Sequence, residues 1–393
     1  MSGERPDLLV LADDLSGAAE CAAVFLHRDV DIALDIDRLQ SEADVRVLDL
    51  GTRIMTAADA ARRLREVLDG VPGDVQVVKK IDSMLRGNIA AELETLSETG
   101  PVVVAAALPA LNRTTANGVL HIDGVPLHLS GRWGMERTAP PESIDDLLPG
   151  IATVSLGVGV TEDELRSALS SGAVAVCDAS TDEDLDTVVA AAASVPGVRL
   201  VGTAALAAAV ARTLPTRTVD MRNPEPAPAL VVVGTAEAVA VEQVRYLERS
   251  GATHVQVDVD DLLNARTDPD TVRSALALGV AVLTVSGPVE PSRASSVASA
   301  LGELVAAVVR GRSVGLVLTG GETARRVIDA LGITTLEPVA EVHRGAVVSR
   351  TSDGTRIATR PGSFGDHDSL VSMSNHLRGI DDNVFFSHSE ALA

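Results

Sequence analysis

Aromatic residues are nearly missing from this chain: four Phe, one Tyr and one Trp make up 2% of its 393 residues. Its core must be filled by Ala, Val and Leu instead. That composition suits β/α layers, with Val in buried strands and Ala and Leu in the helices packed on them. Cysteine is almost absent too. Cys21 and Cys177 sit far apart in apolar runs, which excludes a zinc cluster and reads as reduced core thiols of a cytoplasmic protein. Positive charge is scarce: the formal net charge is −22, so nucleic acid and an anionic membrane are excluded as general partners. The opening "MSGERPDLLVLADD" is acidic and its apolar run is one strand long, neither a signal peptide nor a membrane span. Common site motifs are missing as well. Neither Lys follows a Gly as a Walker A loop requires, "GVGV" at 157–160 lacks the third dinucleotide glycine, and there is no Gly-x-Ser-x-Gly elbow and no HExxH.

What is present is a β/α rhythm. A chain of 393 residues exceeds one ordinary core, so two domains are expected. In the first half, strands at 8–12, 45–50, 75–80, 101–108, 173–179 and 198–202 alternate with helical patterns. The stretch 213–229 holds four prolines and little apolar content and reads as a linker. A second series follows, with strands at 230–235, 253–259, 280–287 and 314–321, then a β-rich end around an Asp353-Gly354 hairpin signal. The expected fold class is α/β: two doubly wound, mostly parallel-sheet domains with a cleft between them. The expected boundaries are 1–214, a linker at 215–229, a second domain at 230–378 and a flexible tail at 379–393.

Ligands of open α/β sheets sit beyond the carboxyl ends of the strands. In the first half those ends deliver Asp13 and Asp14, then Arg53, then Lys79, Lys80, Asp82, Ser83, Arg86 and Asn88, and finally Arg113 and Thr114. This set suits a small polyhydroxylated acid, cations meeting its carboxylate and carboxylates its hydroxyls. An Asp beside an attacking hydroxyl orients it or accepts its proton in phosphoryl transfer, and sequence alone does not rank Asp13 against Asp14. Asp after a first strand is equally a helix cap, and Asn88 equally the N-cap of the following helix. The lysines are more telling. Of 33 basic residues, 31 are Arg, and the only two Lys stand side by side at 79 and 80. On a strand they point to opposite faces, so at least one is buried or leads into the site. In the second half, Gly320, Gly321, Glu322 and Thr323 join a strand to a helix whose free N–H groups favour phosphate. "VVGTAEAVAVEQV", with Glu237, is a second strand–Gly–helix turn that could line the same site, and "RPGSFGDHD", with Gly362, is a third Gly loop that, being Pro-Gly, could equally be a plain turn.

Three long stretches carry a resemblance. "VLADDLSGAAECA", "KKIDSMLRGNIAAEL" and "LPALNRTTANGVLHIDGVPL" resemble the opening, the Lys-Lys-Ile-Asp-Ser block and the Arg-Thr-Thr segment of the four-carbon acid sugar kinase family. "GTAEAVAVEQ", "TGGETARRVIDALGI" and "RPGSFGDHDSL" follow in the order of that family's nucleotide-binding half. The resemblance spans about residues 6–375. It implies an N-terminal sugar-acid domain, a C-terminal ATP domain, ATP and Mg²⁺ as cofactors, and phosphorylation of a tetronate at its terminal hydroxyl. It leaves a homodimer open. Two departures stand out: Glu237 where relatives carry Ser, and Arg360-Pro361 where they carry Lys-Ser. These motivate an alternative, a non-catalytic sugar-acid-binding or regulatory protein with a degraded nucleotide site. A dehydrogenase is disfavoured by the missing glycine fingerprint.

Overall fold

Val, Leu and Ile runs become buried strands and Ala-rich segments become the helices that cover them, in two compact units, Met1–Thr218 and Val219–Ala393. The computed structural model describes residues 7–133, 138–218, 226–234, 238–288, 290, 292–362 and 364–380. Among them, no helix is long and apolar enough to cross a membrane.

The first unit runs β1 (Leu8–Ala12), α1 (Leu15–Ala23), β2 (Ile32–Ile36), β3 (Val45–Asp49), α2 (Ala57–Leu68), β4 (Gln76–Lys80), α3 (Ile89–Ser97) and β5 (Val102–Ala105). It continues through a small antiparallel sheet of β6 (Arg113–Ala116), β7 (Val119–Ile122) and β8 (Val125–Pro126). Then come β9 (Thr153–Leu156), α4 (Glu162–Ser170), β10 (Val174–Cys177), α5 (Asp182–Ala192), β11 (Arg199–Gly202) and α6 (Ala204–Arg212). The main sheet is parallel throughout, in the order β2-β3-β1-β4-β11-β5-β10-β9. The chain leaves β1 toward β2 and β3 and returns to β4 on its other side. That reversal makes the carboxyl ends of β1, β3 and β4 a topological switch point, where such sheets bind ligands.

The second unit runs β12 (Ala229–Val233), α7 (Ala238–Arg249), β13 (Thr253–Asp258), α8 (Val259–Leu263), α9 (Pro269–Leu276), β14 (Val280–Ser286) and α10 (Ala294–Val309). It closes with β15 (Gly315–Thr319), α11 (Gly321–Leu331), β16 (Thr335–His343), β17 (Ala346–Arg350), β18 (Arg356–Arg360) and α12 (Ser369–Leu377). The strand order β13-β14-β12-β15-β18 is parallel, and β18-β17-β16 is antiparallel. Here the switch point lies between β12 and β15.

Several elements depart from the sequence reading. β2 was not expected because Asp35 interrupts its apolar run; it is fully buried, its carboxylate accepting from Gln40 N, Ser41 N and Ser41 Oγ. α12, not expected from the sequence, buries Ser369, Ser374 and Asn375 beside Leu370, Met373 and Leu377, and Ser374 Oγ donates to Leu370 O at 2.7 Å. Residues 215–217 belong with the first unit: Asp29 N donates to Pro215 O and Arg217 N to His27 O, each at 2.9 Å. The rest of the linker stretch from 219 to 225, and residues 381–393 of the tail, lie outside the described residues.

Candidate active site

The first unit gathers its charged side chains at the switch point. Asp13 and Asp14 leave β1 in two different ways. Asp14 is the N-cap of α1, its Oδ1 accepting from Gly17 N at 2.7 Å, so that side chain is largely spent on the helix. Asp13 is buried at 2% exposure; its Oδ2 accepts from Arg53 Nε, while its Oδ1 has no hydrogen-bond partner among the described residues. Burial pushes the Asp13 pKa up, but the charges of Arg53, Lys79 and Lys80 and the Arg53 hydrogen bond outweigh it and hold the carboxyl below its usual range. Asp13 is therefore a carboxylate with one oxygen uncommitted. The two Asp residues, equivalent in sequence, differ in structure.

Arg53 stands at the centre. It rides on the single turn Thr52–Ile54 after β3, with its own N–H bonded to Asp13 O at 3.0 Å. Its guanidinium contacts Asp13, Asp14 Oδ2 at 3.4 Å and Asp82 Oδ1 at 3.3 Å. Asp82 in turn accepts from Arg86 Nε and Nη2 at 2.8 and 2.9 Å and from Met84 N at 3.0 Å. Burial would raise the Asp82 pKa, but Arg86, Arg53 and Lys80 hold it far below the usual carboxylate range. Asp82 closes the turn after β4, a turn tight enough to put Leu85 at φ 60° and Gly87 at φ 92°. A Cβ on Gly87 would stand 3.2 Å from Arg53 Cδ and 3.4 Å from Asp13 Oδ2, so glycine lets the turn lie against the cluster.

The lysines do point to opposite faces, and their fates diverge. Lys80 faces α1 and packs over its start: a Cβ on Gly17 would meet Lys80 Nζ at 2.7 Å. No carboxylate among the described residues lies within ion-pair distance of its ammonium. Burial disfavours that charge, but Asp13, Asp14 and Glu20 outweigh burial and raise the Lys80 pKa. Lys79 faces α3 and is fully buried. Its Nζ sits 3.0 Å from Glu92 Oε2 and donates to Lys80 O at 2.9 Å, while Glu92 Oε1 accepts from Thr52 Oγ1 at 2.6 Å. Lys79 is thus committed to a closed pair that fixes the Thr52–Arg53 turn, a different position from the ligand-facing one expected of it.

The other expected residues divide similarly. Asn88 stands at the N-cap position of α3 without capping it; its Nδ2 donates to Thr52 O at 2.8 Å and Met55 O at 3.0 Å, again steadying the Arg53 turn. Arg113 donates to Ser83 Oγ, and burial lowers its pKa. Thr114 follows Arg113 on β6 and so faces the opposite side of the hairpin. Sequence reading missed Glu92. The signal was a carboxylate on the apolar stripe of α3, beside Ile89, Leu93 and Leu96, which demands a buried cation.

In the second unit, glycines meet at the other switch point. A Cβ on Gly234, after β12, would come within 2.0 Å of Thr323 Oγ1, so only glycine permits that approach to α11. Gly320 adopts φ 86°, its N–H donates to Arg360 O at 2.9 Å, and the Cβ it lacks would lie 3.9 Å from Gly362 Cα. Gly321, Glu322 and Thr323 form the first turn of α11, whose N–H groups have no intrahelical acceptor and which has no side-chain cap. Glu237 lies outside the described residues. Arg360, read from sequence as an altered ligand-side residue, is fully buried and turned inward. Among the described residues no group of three or more His, Cys, Asp or Glu is placed to hold a metal ion.

Residues 8–210 match the family model of a sugar-binding N-terminal domain, and residues 230–370 that of a nucleotide-binding C-terminal domain. Over 415 aligned residues the chain is 31% identical to a D-threonate kinase of Cupriavidus necator, covering 92% of this chain and 96% of the relative. A D-erythronate kinase of Heliobacterium modesticaldum is 26% identical over 433 residues, 94% of this chain and 97% of its own. A solved structure from Salmonella typhimurium LT2 superposes with a TM-score of 0.76 at 23% identity, over 93% of this chain and 98% of that one, which speaks for the fold. With both domain models matched in order and relatives aligned along nearly their whole length, the chain belongs to the four-carbon acid sugar kinase family.

Proposed function

We propose that this protein transfers the γ-phosphoryl group of ATP to the terminal hydroxyl of a four-carbon sugar acid, in the cytoplasm. The observation that carries the reading is Asp13: a buried carboxylate with one free oxygen, set between Arg53 and Lys80 at the switch point of the first unit. Asp13 Oδ1 receives the substrate hydroxyl and orients its oxygen toward phosphorus. As that oxygen bonds to phosphorus and the bond to the ADP oxygen breaks, the hydroxyl proton passes to Asp13. Its lowered pKa makes it a weak base, which suits a loose transition state in which positioning matters more than early proton removal. Lys80 and Arg53 meet negative charge on the substrate carboxylate or the transferred group, and Arg113 and Ser83 bound the same pocket.

In the second unit, Gly234, Gly320, Gly321 and Gly362 let backbone approach the phosphates, and the first turn of α11 presents N–H donors to them. Mg²⁺ held largely by phosphate oxygens needs only one or two protein carboxylates, and Glu322, in the first turn of α11, would be its ligand. The ion would neutralise charge on the transferred group. The alternative of a binder with a degraded nucleotide half rested partly on Arg360, and an inward-facing Arg360 gives it no support.

The test is ADP release with ATP, Mg²⁺ and a panel of four-carbon acids. Turnover with at least one acid, absent without it, is expected. A thermal midpoint that rises with a sugar acid but not with ATP–Mg²⁺ would instead mark a binder.

A further inference from the structure

We propose that Gln243 is a positioning residue for the turn after β18, holding with Arg360 the shape in which that turn meets nucleotide; this rests on the ATP-binding reading of the second unit. Gln243 lies on α7 and is fully buried. Its Nε2 stands 3.2, 3.0 and 2.9 Å from the carbonyl oxygens of Phe364, Gly365 and Asp366. Its Oε1 accepts from Arg360 Nη2 at 2.5 Å, and Arg360 Nη1 donates to Phe364 O. The amide can sit only one way round, because the reverse would aim Oε1 at three carbonyls.

The consequence is electrostatic. Three successive carbonyls are drawn toward the protein interior. Carbonyls held there are withheld from phosphate oxygens, which they would repel. The same turn carries Gly362 against Gly320 at the head of α11, so its shape bears directly on the glycine site. One helical turn beyond Gln243, the Tyr246 ring meets His367 edge-on at 4.7 Å, so α7 grips the segment at a second point.

Arg360 suits this task better than it suits ligand binding. No carboxylate among the described residues lies within ion-pair distance, and burial pushes its pKa down to about 10. A buried cation without a counter-charge is costly, and here its planar fork spans a carbonyl and an amide oxygen at once, which a lysine ammonium reproduces poorly.

The test uses full-length Gln243→Ala, Gln243→Glu and Arg360→Lys. Gln243→Glu keeps the acceptor for Arg360 but faces the carbonyls with a carboxylate, so it reports on the turn even if the Ala variant folds poorly. Hydrogen exchange in the free protein should quicken at least about tenfold at Phe364 and Ser369, whose N–H groups donate to Pro361 O and Asp366 O, as the Gln243 variants lose the bonds that hold the turn. KM for ATP, and the calorimetric Kd for ATP–Mg²⁺, should rise about tenfold or more, with KM for the sugar acid within about twofold of wild type. Arg360→Lys should fall between wild type and Gln243→Ala. Unchanged exchange and unchanged ATP affinity in the Gln243 variants would overturn the proposal. Quickened exchange in a protein whose wild type binds no ATP would instead overturn the nucleotide reading and leave the turn-shaping role standing.

Discussion

Lys79 and Lys80 are adjacent and both cationic, yet their removal should do opposite things. In Lys79→Met, Glu92 keeps the Thr52 hydroxyl but loses an ammonium 3.0 Å away, at a site where both side chains are within 2% of complete burial. Breaking a buried pair from one side costs about 3–5 kcal/mol, because the surviving charge stays desolvated. For a unit of this size each kcal/mol moves Tm by about 2–4 °C, so the first-unit transition should fall by about 6–20 °C. Lys79→Met with Glu92→Leu should recover most of that loss, since a buried pair replaced by apolar side chains of similar volume is often neutral. At a temperature where the variant is folded, Lys79→Met should keep a measurable fraction of wild-type turnover.

Lys80→Met should show the reverse. Its ammonium is paired with no carboxylate within ion-pair distance among the described residues, so Tm should move by no more than about 4 °C. Turnover should fall by about a hundredfold or more, as the transferred charge loses its counter-ion. Calorimetric melting and steady-state kinetics on the same preparations decide it. A Lys79→Met protein that melts like wild type and loses as much turnover as Lys80→Met would refute the division of labour argued from the two strand faces.

Asp13→Asn should reduce turnover by about a thousandfold while ATP affinity holds; Asp14→Asn should retain far more, because Asn caps a helix about as well as Asp. Comparable losses in steady-state kinetics would contradict the ranking of the two carboxylates. Gly17→Ala places a Cβ 2.7 Å from Lys80 Nζ and 2.8 Å from Asp14 Oδ1. The lysine tip can swing aside, so the expected result is a Tm within about 4 °C of wild type and a loss of turnover approaching that of Lys80→Met. Cys21 and Cys177 are buried thiols, their pKa pushed up to about 12 chiefly by burial. A thiol reagent at pH 8 should label neither in the native protein and both after unfolding; rapid native labelling would show the cores around α1 and β10 to be open.

The sequence made most of the parallel strands legible because Val and Leu runs such as "LLVLA" leave little choice of element, while β2 and β9, whose apolar runs are broken by Asp35 and Ser155, were not read. It also made legible which loops carry polar groups, because most strand ends fall within a few residues of where the apolar runs stop. What it did not reveal is commitment. Asp13 and Asp14 are the same residue type in the same turn, and only the Gly17 N–H and the Arg53 guanidinium separate a cap from an open carboxylate. Lys79 looked ligand-facing because its partner, Glu92, lies thirteen positions on and reads as one more helix-surface acid until the apolar stripe of α3 is drawn. Gln243 was hidden in the same way, a polar residue among Ala240, Val244 and Leu247 on the buried face of α7. Arg360 read as a departure at the ligand because the family pattern carries a cation there; three-dimensional contacts turn it inward. For Asp13, Lys79 and Gln243 the deciding partner, Arg53, Glu92 or Arg360, lies on another element, so the residue's own turn or strand leaves its role open.

Phosphoryl transfer to a four-carbon sugar acid can be watched by ³¹P NMR of a mixture of protein, ATP, Mg²⁺ and D-threonate or D-erythronate. A phosphomonoester resonance should grow in step with ADP and be lost in Asp13→Asn. ATP left intact, or converted to ADP and inorganic phosphate with no phosphomonoester for any four-carbon acid, would contradict that transfer.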